Sequence, residues 1–117
     1  RDRAKALAAA GADVIVAHMG LTTSGTIGAK TARTLEQCVH EVDAIAAAAK
    51  KERADTIVLC HGGPIAMPED AQFVLERCEI EGFYGASSME RLPTELAITA
   101  QVREFVDLRL PRSVSKS

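Results

Sequence analysis

At 117 residues, 47% of them hydrophobic and 26% charged, the chain can bury one real core and is too apolar to be intrinsically disordered. Its formal net charge of −2, with no Lys/Arg-rich run, argues against a nucleic-acid surface. No apolar run approaches the roughly 20 residues that span a bilayer, and no signal-like segment opens the chain, so no membrane partner is expected. The first residue is Arg1 rather than Met, and Arg1 to Ala10 reads as the last turns of a helix closing at Gly11. A helix already under way at the first residue is expected of a piece of a longer chain. The core must come from Val, Ile, Leu and Ala, because aromatics make up only 3%.

Next comes an apolar run, Ala12 to His18. A helical stretch from Thr34 to Lys51 follows, with Leu35, Cys38, Val39, Val42, Ile45 and Ala49 on one stripe. Thr34 and Gln37 have the spacing of a capping box. A second run, Ala54 to His61, repeats the frame Ala-Asp-x-Ile-Val with a terminal His and then Gly. Both runs are rich in β-branched residues and lack apolar/polar alternation, which predicts strands buried on both faces in a parallel sheet. Pro68 marks the start of the next helix, with Ala71, Val74, Leu75 and Cys78 on one face. A third short run, Ile80 to Gly85, precedes a last helix. Pro93 is expected to open it and Pro111 to stop it, with Leu96, Ala100, Val102, Phe105, Val106 and Leu110 carrying its apolar side. Residues 1–111 are expected to be structured and 112–117 to form a loose polar tail.

Strands and helices therefore alternate, which implies an α/β protein with right-handed crossovers. A (β/α)8 barrel and an open doubly wound sheet both fit this pattern. In either one, ligands bind at the carboxyl ends of the strands. The unusual residues gather there. The first strand runs into His18, Met19 and Gly20, then a hydroxyl- and glycine-rich segment from Leu21 to Ala29. That segment is long for a βα connection, so Gly20, Thr22 and Thr23 are candidate anion binders. The second strand ends in His61-Gly62-Gly63-Pro64, where two glycines admit close backbone approach. The third runs into Gly85-Ala86-Ser87-Ser88, with Arg91 four residues on from Ser87. Hydroxyls and a guanidinium fork suit phosphate or carboxylate.

His18 and His61 end equivalent strands. On neighbouring strands they would stand about 5 Å apart. Two imidazoles so placed are candidates for a general acid and base, or for metal ligands, though no nearby Asp or Glu completes a metal set. Cys60 precedes His61 directly, so the two side chains point to opposite faces and form no dyad. Cys38, Cys60 and Cys78 show no CxxC spacing and read as small core hydrophobes in a reducing, cytoplasmic setting.

Three segments carry a family resemblance: His18-Met19-Gly20-Leu21-Thr22-Thr23, Leu59-Cys60-His61-Gly62-Gly63-Pro64, and the stretch from Gly82 to Pro93. They resemble the signature segments of phosphoenolpyruvate hydrolase-like TIM-barrel proteins, over nearly the whole chain. The resemblance implies that residues 1–117 are the C-terminal part of a (β/α)8 TIM barrel, with three parallel strands alternating with helices. It also implies an enzyme hydrolysing a small phospho- or phosphono-carboxylate such as phosphoenolpyruvate or phosphonopyruvate. His18 or His61 would move the proton. Gly62, Gly63, Gly85, Ala86, Ser87, Ser88 and Arg91 would hold anionic oxygens. Mg²⁺ would be supplied by carboxylates outside this chain. The alternatives are a ligand-sensing or protein-interaction barrel without catalysis, and an inactive piece that self-associates as a homo-oligomer.

Overall fold

The computed structural model describes residues 1–21, 23 and 33–111. The order is α1 (Asp2–Ala9), β1 (Val14–His18), α2 (Leu35–Glu52), β2 (Ile57–His61), α3 (Pro68–Leu75), β3 (Gly82–Phe83) and α4 (Arg91–Val106). Helix α1 closes in a Schellman turn: the Gly11 amide donates to Ala8 and the Ala12 amide to Leu7. Helix α2 starts with both halves of its capping box in place. The Gln37 amide donates to Thr34 Oγ1 at 3.1 Å, and the Thr34 amide donates to Gln37 Oε1 at 2.9 Å. Pro68 opens α3, and Asp70 reaches back to accept the Met67 and Ala66 amides.

The three strands form one parallel sheet in the order β1-β2-β3. Helices follow strands in alternation, which is the arrangement of a partial (β/α)8 barrel. One sheet face is dry. Ile15, Ala17, Val58 and Cys60 are buried there with Ala4 and Ala8 of α1, Cys38, Val42, Ala46 and Ala49 of α2, and Ala71 and Val74 of α3. These small side chains let helix and sheet approach closely, and they make up the core that composition called for.

Burial on both faces of the strands is corrected by the structure. Val14, Val16 and Ile57 point to the opposite side and are 48%, 41% and 42% exposed. In a closed barrel that side is the interior, filled by layers of side chains from all the strands. Three strands cannot close around it, so their inward residues stay open. β-Branched composition reports what that face is built to meet, and does not supply it.

Three boundaries also differ from expectation. Strand β3 is only two residues, Gly82 and Phe83, instead of the run from Ile80 to Gly85. Helix α4 begins at Arg91, two residues before Pro93. Proline is tolerated there because the first-turn amides have no partner within the helix. The helix ends at Val106, short of Pro111. Its expected core residues Leu96, Val102, Phe105, Val106 and Leu110 are all exposed, and Leu92 alone is buried among the α4 residues. The molecule is accordingly long, 79 × 23 × 22 Å. The expected tail, 112–117, lies outside the described residues.

Candidate functional site

Strands β1 and β2 end level with each other. His18 is the register partner of His61, as Ala17 is of Cys60. Because strand side chains alternate, Cys60 enters the core and His61 emerges on the open face beside His18. The two imidazole rings meet edge to face with centroids 4.8 Å apart.

Their hydrogen bonds differ in sense. His18 Nδ1 accepts from the Gly20 amide at 3.1 Å. An amide N–H can only donate, so His18 Nδ1 carries the lone pair and the neutral ring holds its proton on Nε2. His61 Nδ1 lies 2.6 Å from the carbonyl oxygen of Tyr84. A carbonyl can only accept, so His61 Nδ1 carries the proton and its Nε2 is the bare nitrogen. The pair is therefore held in opposite tautomers. The Tyr84 ring stands 5.0 Å from that of His61 on the other side.

The turns behind the histidines interlock. The Met19 amide donates to the His61 carbonyl at 2.8 Å, and the Gly63 amide to the Gly20 carbonyl at 2.7 Å. The Thr23 amide and hydroxyl both donate to the Gly63 carbonyl, at 3.2 and 3.4 Å. Gly62 and Gly63 hold φ of +79° and +61°. A Cβ on Gly62 would stand 2.2 Å from the Gly20 oxygen, and one on Gly63 would stand 2.4 Å from the Met19 oxygen. Glycine is required at both for conformation and for space. One expectation is corrected by this geometry: the Gly63 amide is already engaged by Gly20 and is not a donor for a ligand.

Beside this interlock lies a cavity of about 360 Å³ lined by Met19, Gly20, Leu21, Thr23, Arg33, Gln37 and Gly63. Neither histidine lines it, but Gly20 belongs to both places: it walls the cavity and its amide fixes the His18 tautomer. Thr22 lies outside the described residues.

The exit of β3 is arranged differently from the first two. The Ala86 carbonyl accepts the Met89 and Glu90 amides, and the Ser87 carbonyl accepts those of Arg91 and Leu92. These bonds wind the segment into the start of α4. Gly85 is packed on Met89, which a Cβ would meet at 2.5 Å. Ser88 lines a separate cavity with Phe83, Met67 and Leu75. Arg91 donates to Glu95 one turn along α4 at 2.7 Å and faces a groove with Thr94, Ile98 and Thr99. The structure thus brings together His18, His61, Gly20, Thr23, Gly62 and Gly63, and places Ser88 and Arg91 in two other concavities.

Arg33, Gln37 and Tyr84 belong to this end of the molecule and were not singled out by sequence. Gln37 was visible only as a cap. Arg33 precedes the N-cap of α2, and helices that follow barrel strands begin at the ligand-binding end, which is the signal that points to it. Tyr84 acts on His61 through its main chain, which no side-chain pattern reveals.

Burial favours the neutral form of the thiols. Burial pushes Cys60 up to about 11, with its neighbours Cys78 and Cys38 adding to the effect. Burial likewise raises Cys38 to about 11, against the opposing pull of Arg33. Among the described residues no group of three His, Cys, Asp or Glu side chains could hold a metal ion. No described helix is long and apolar enough to cross a membrane.

Comparison with known proteins places these features in a family. The model of the family described as phosphoenolpyruvate hydrolase-like matches residues 1–108. Two tomato (Solanum lycopersicum) proteins, ToMV susceptible protein tm-1(GCR26) and ToMV resistance protein Tm-1(GCR237), are each 61% identical over 110 residues, covering 93% of this chain. A Sinorhizobium fredii protein, y4pA, whose name proposes a transcriptional regulatory role, is 30% identical over 95 residues, or 81% of the chain. The chain spans only 15% of each tomato relative and 16% of y4pA.

Proposed function

The chain belongs to the phosphoenolpyruvate hydrolase-like family, and from that premise we propose that the complete protein hydrolyses a small phospho- or phosphono-carboxylate at the His18–His61 pair. The observation that carries this reading is the pair's opposite tautomers at 4.8 Å. One exposed nitrogen can take a proton while the other gives one, which is what hydrolysis needs. A water oxygen forms a bond to phosphorus as His61 Nε2 takes its proton. The P–O or P–C bond breaks, and its electron pair leaves with the enolate or carbanion of the three-carbon acid. His18 Nε2–H protonates that leaving atom. The products are phosphate and the protonated acid, and a proton returned from His61 to His18 through solvent completes the cycle. Acid–base help of this kind contributes typically 10²–10⁴-fold.

Mg²⁺ is part of the family expectation. The described residues include no group of three His, Cys, Asp or Glu side chains that could hold it; in this proposal its ligands would come from other parts of the complete protein, and no step here runs through it. The open sheet face and the exposed side of α4 call for cover, which further barrel strands or a second copy in a homo-oligomer would give. Three free cysteines accord with a reducing, cytoplasmic setting.

A second reading, ligand binding without turnover, has its own support: the Gly63 amide is engaged by Gly20, and Arg91 lies on a separate groove of α4, so two expected contributors to a phosphate cradle stand apart from the histidines. Phosphate release separates the two. The complete protein, supplied with Mg²⁺, is expected to release phosphate from phosphoenolpyruvate or phosphonopyruvate, and the His61→Ala variant is not. A folded protein that binds these acids and releases nothing supports the second reading.

A further inference from the structure

The 360 Å³ cavity beside the histidines has the size of a small-molecule site. Its polar lining comes from three side chains that the histidine chemistry does not use. Arg33 Nη1 donates to the Met19 carbonyl at 3.3 Å, and Arg33 Nε lies 3.1 Å from Glu41 Oε1. Among the described residues these contacts hold the guanidinium against the cavity wall through two of its five N–H donors. Gln37 is oriented by the capping box: its Oε1 accepts the Thr34 amide, so its NH₂ is the end that can donate to a ligand. Thr23 gives its hydroxyl proton to the Gly63 carbonyl. A planar guanidinium and an amide NH₂ in one small cavity match a carboxylate, which accepts two parallel hydrogen bonds in a plane.

We infer that the Arg33–Gln37 cavity binds the carboxylate of the substrate and sets its phosphoryl group against the histidines. The assignment rests on the hydrolase reading for the position of phosphorus, since His18 and His61 must face the reacting bond. Gly20 joins the two places. It lines the cavity and its amide is bonded to His18 Nδ1, so the anchor we infer adjoins the turn that fixes His18. Glu41 tempers the charge of Arg33, which suits a singly charged carboxylate better than a phosphate dianion.

The test is a binding titration of the complete protein with two probes, pyruvate and inorganic phosphate. The informative variant is Gln37→Glu. Glutamate at this position still accepts the Thr34 amide, so the capping box and the fold survive, while a second carboxylate now faces the cavity. Arg33→Met is the companion variant, with thermal melting to confirm folding of both. The expected result is pyruvate affinity lowered at least tenfold in both variants with phosphate affinity unchanged, and, where turnover is measured, KM raised with kcat kept. Unchanged pyruvate affinity in Gln37→Glu, equal loss for the two probes, or no pyruvate binding by the parent protein would overturn the assignment. The hydrolase reading fails separately: pyruvate binding that depends on Arg33, in a protein that releases no phosphate, keeps the cavity and rejects the hydrolysis.

Discussion

Gly63 donates its amide to the carbonyl of Gly20 at 2.7 Å, across the ends of two neighbouring strands. That one bond ties the loop that fixes His18 to the loop that follows His61. The site is therefore built on main-chain contacts between two glycines, and the histidines inherit their spacing from the β1–β2 register.

Alanine at either Gly62 or Gly63 should be severely destabilising. Each residue has positive φ, and the added Cβ would stand 2.2 or 2.4 Å from a backbone oxygen. Backbone cannot swing aside as a side chain can, so the cost is expected to exceed about 2 kcal/mol. Chemical denaturation of each variant measures it. Alanine at Gly11 provides a milder comparison, because nothing lies within 4 Å of its added Cβ.

Thr56 presents the opposite case. It is 1% exposed, and its hydroxyl has no hydrogen-bond partner among the described residues. A buried unsatisfied hydroxyl costs about 1–3 kcal/mol, and valine has nearly the same shape. Thr56→Val is expected to raise stability by about 1 kcal/mol, read as a shift in the denaturation midpoint.

Glu81 staples the start of β2 to α2. It is ion-paired with Lys50 and accepts the Val58 amide at 2.7 Å. Partial burial opposes its ionisation, but the Lys50 and Val58 hydrogen bonds outweigh that and lower its pKa. A lowered folded-state pKa means that the contribution is present above the ordinary glutamate value, about 4.3, and is lost as pH falls through the folded one. The stability difference between the parent and Glu81→Gln should be small but measurable at pH 7, since the carboxylate is partly exposed. It should vanish in thermal melts taken well below pH 4.

Cys38 and Cys60 act at the other end of the scale. Both are fully buried and raised to about 11. Their neutral forms favour the folded state, so this contribution is intact below the unfolded value of about 8.5 and is lost as pH rises toward 11. Thermal melts between pH 8 and 11 should show that decline, and replacing Cys60 with alanine should flatten part of it. In the folded protein at pH 8, both thiols should resist an aromatic disulfide reagent that labels them at once in urea.

The sequence disclosed this much because its strongest signals are local. β-Branched runs, the Thr34–Gln37 box and Pro68 each act within a few residues, and each element formed where its signal stood. The equivalence of His18 and His61 was legible from a repeated frame, since parallel strands in register carry equal positions to equal heights. What stayed hidden depends on contacts distant in sequence. Nothing local says that Val14 and Val16 face an open side, or that the Gly63 amide is engaged by Gly20. Arg33 and Gln37 reach the site only because α2 returns its first turn to the end of β1.

The most direct test of the central claim is hydrolysis by the complete protein in ¹⁸O-labelled water, followed by ³¹P NMR with phosphonopyruvate and phosphoenolpyruvate as substrates. The account predicts inorganic phosphate carrying one ¹⁸O from water, with the rate falling about 100-fold or more in His61→Ala while the variant stays folded. Phosphate formed equally fast in that variant, or no phosphate from either acid, would contradict it.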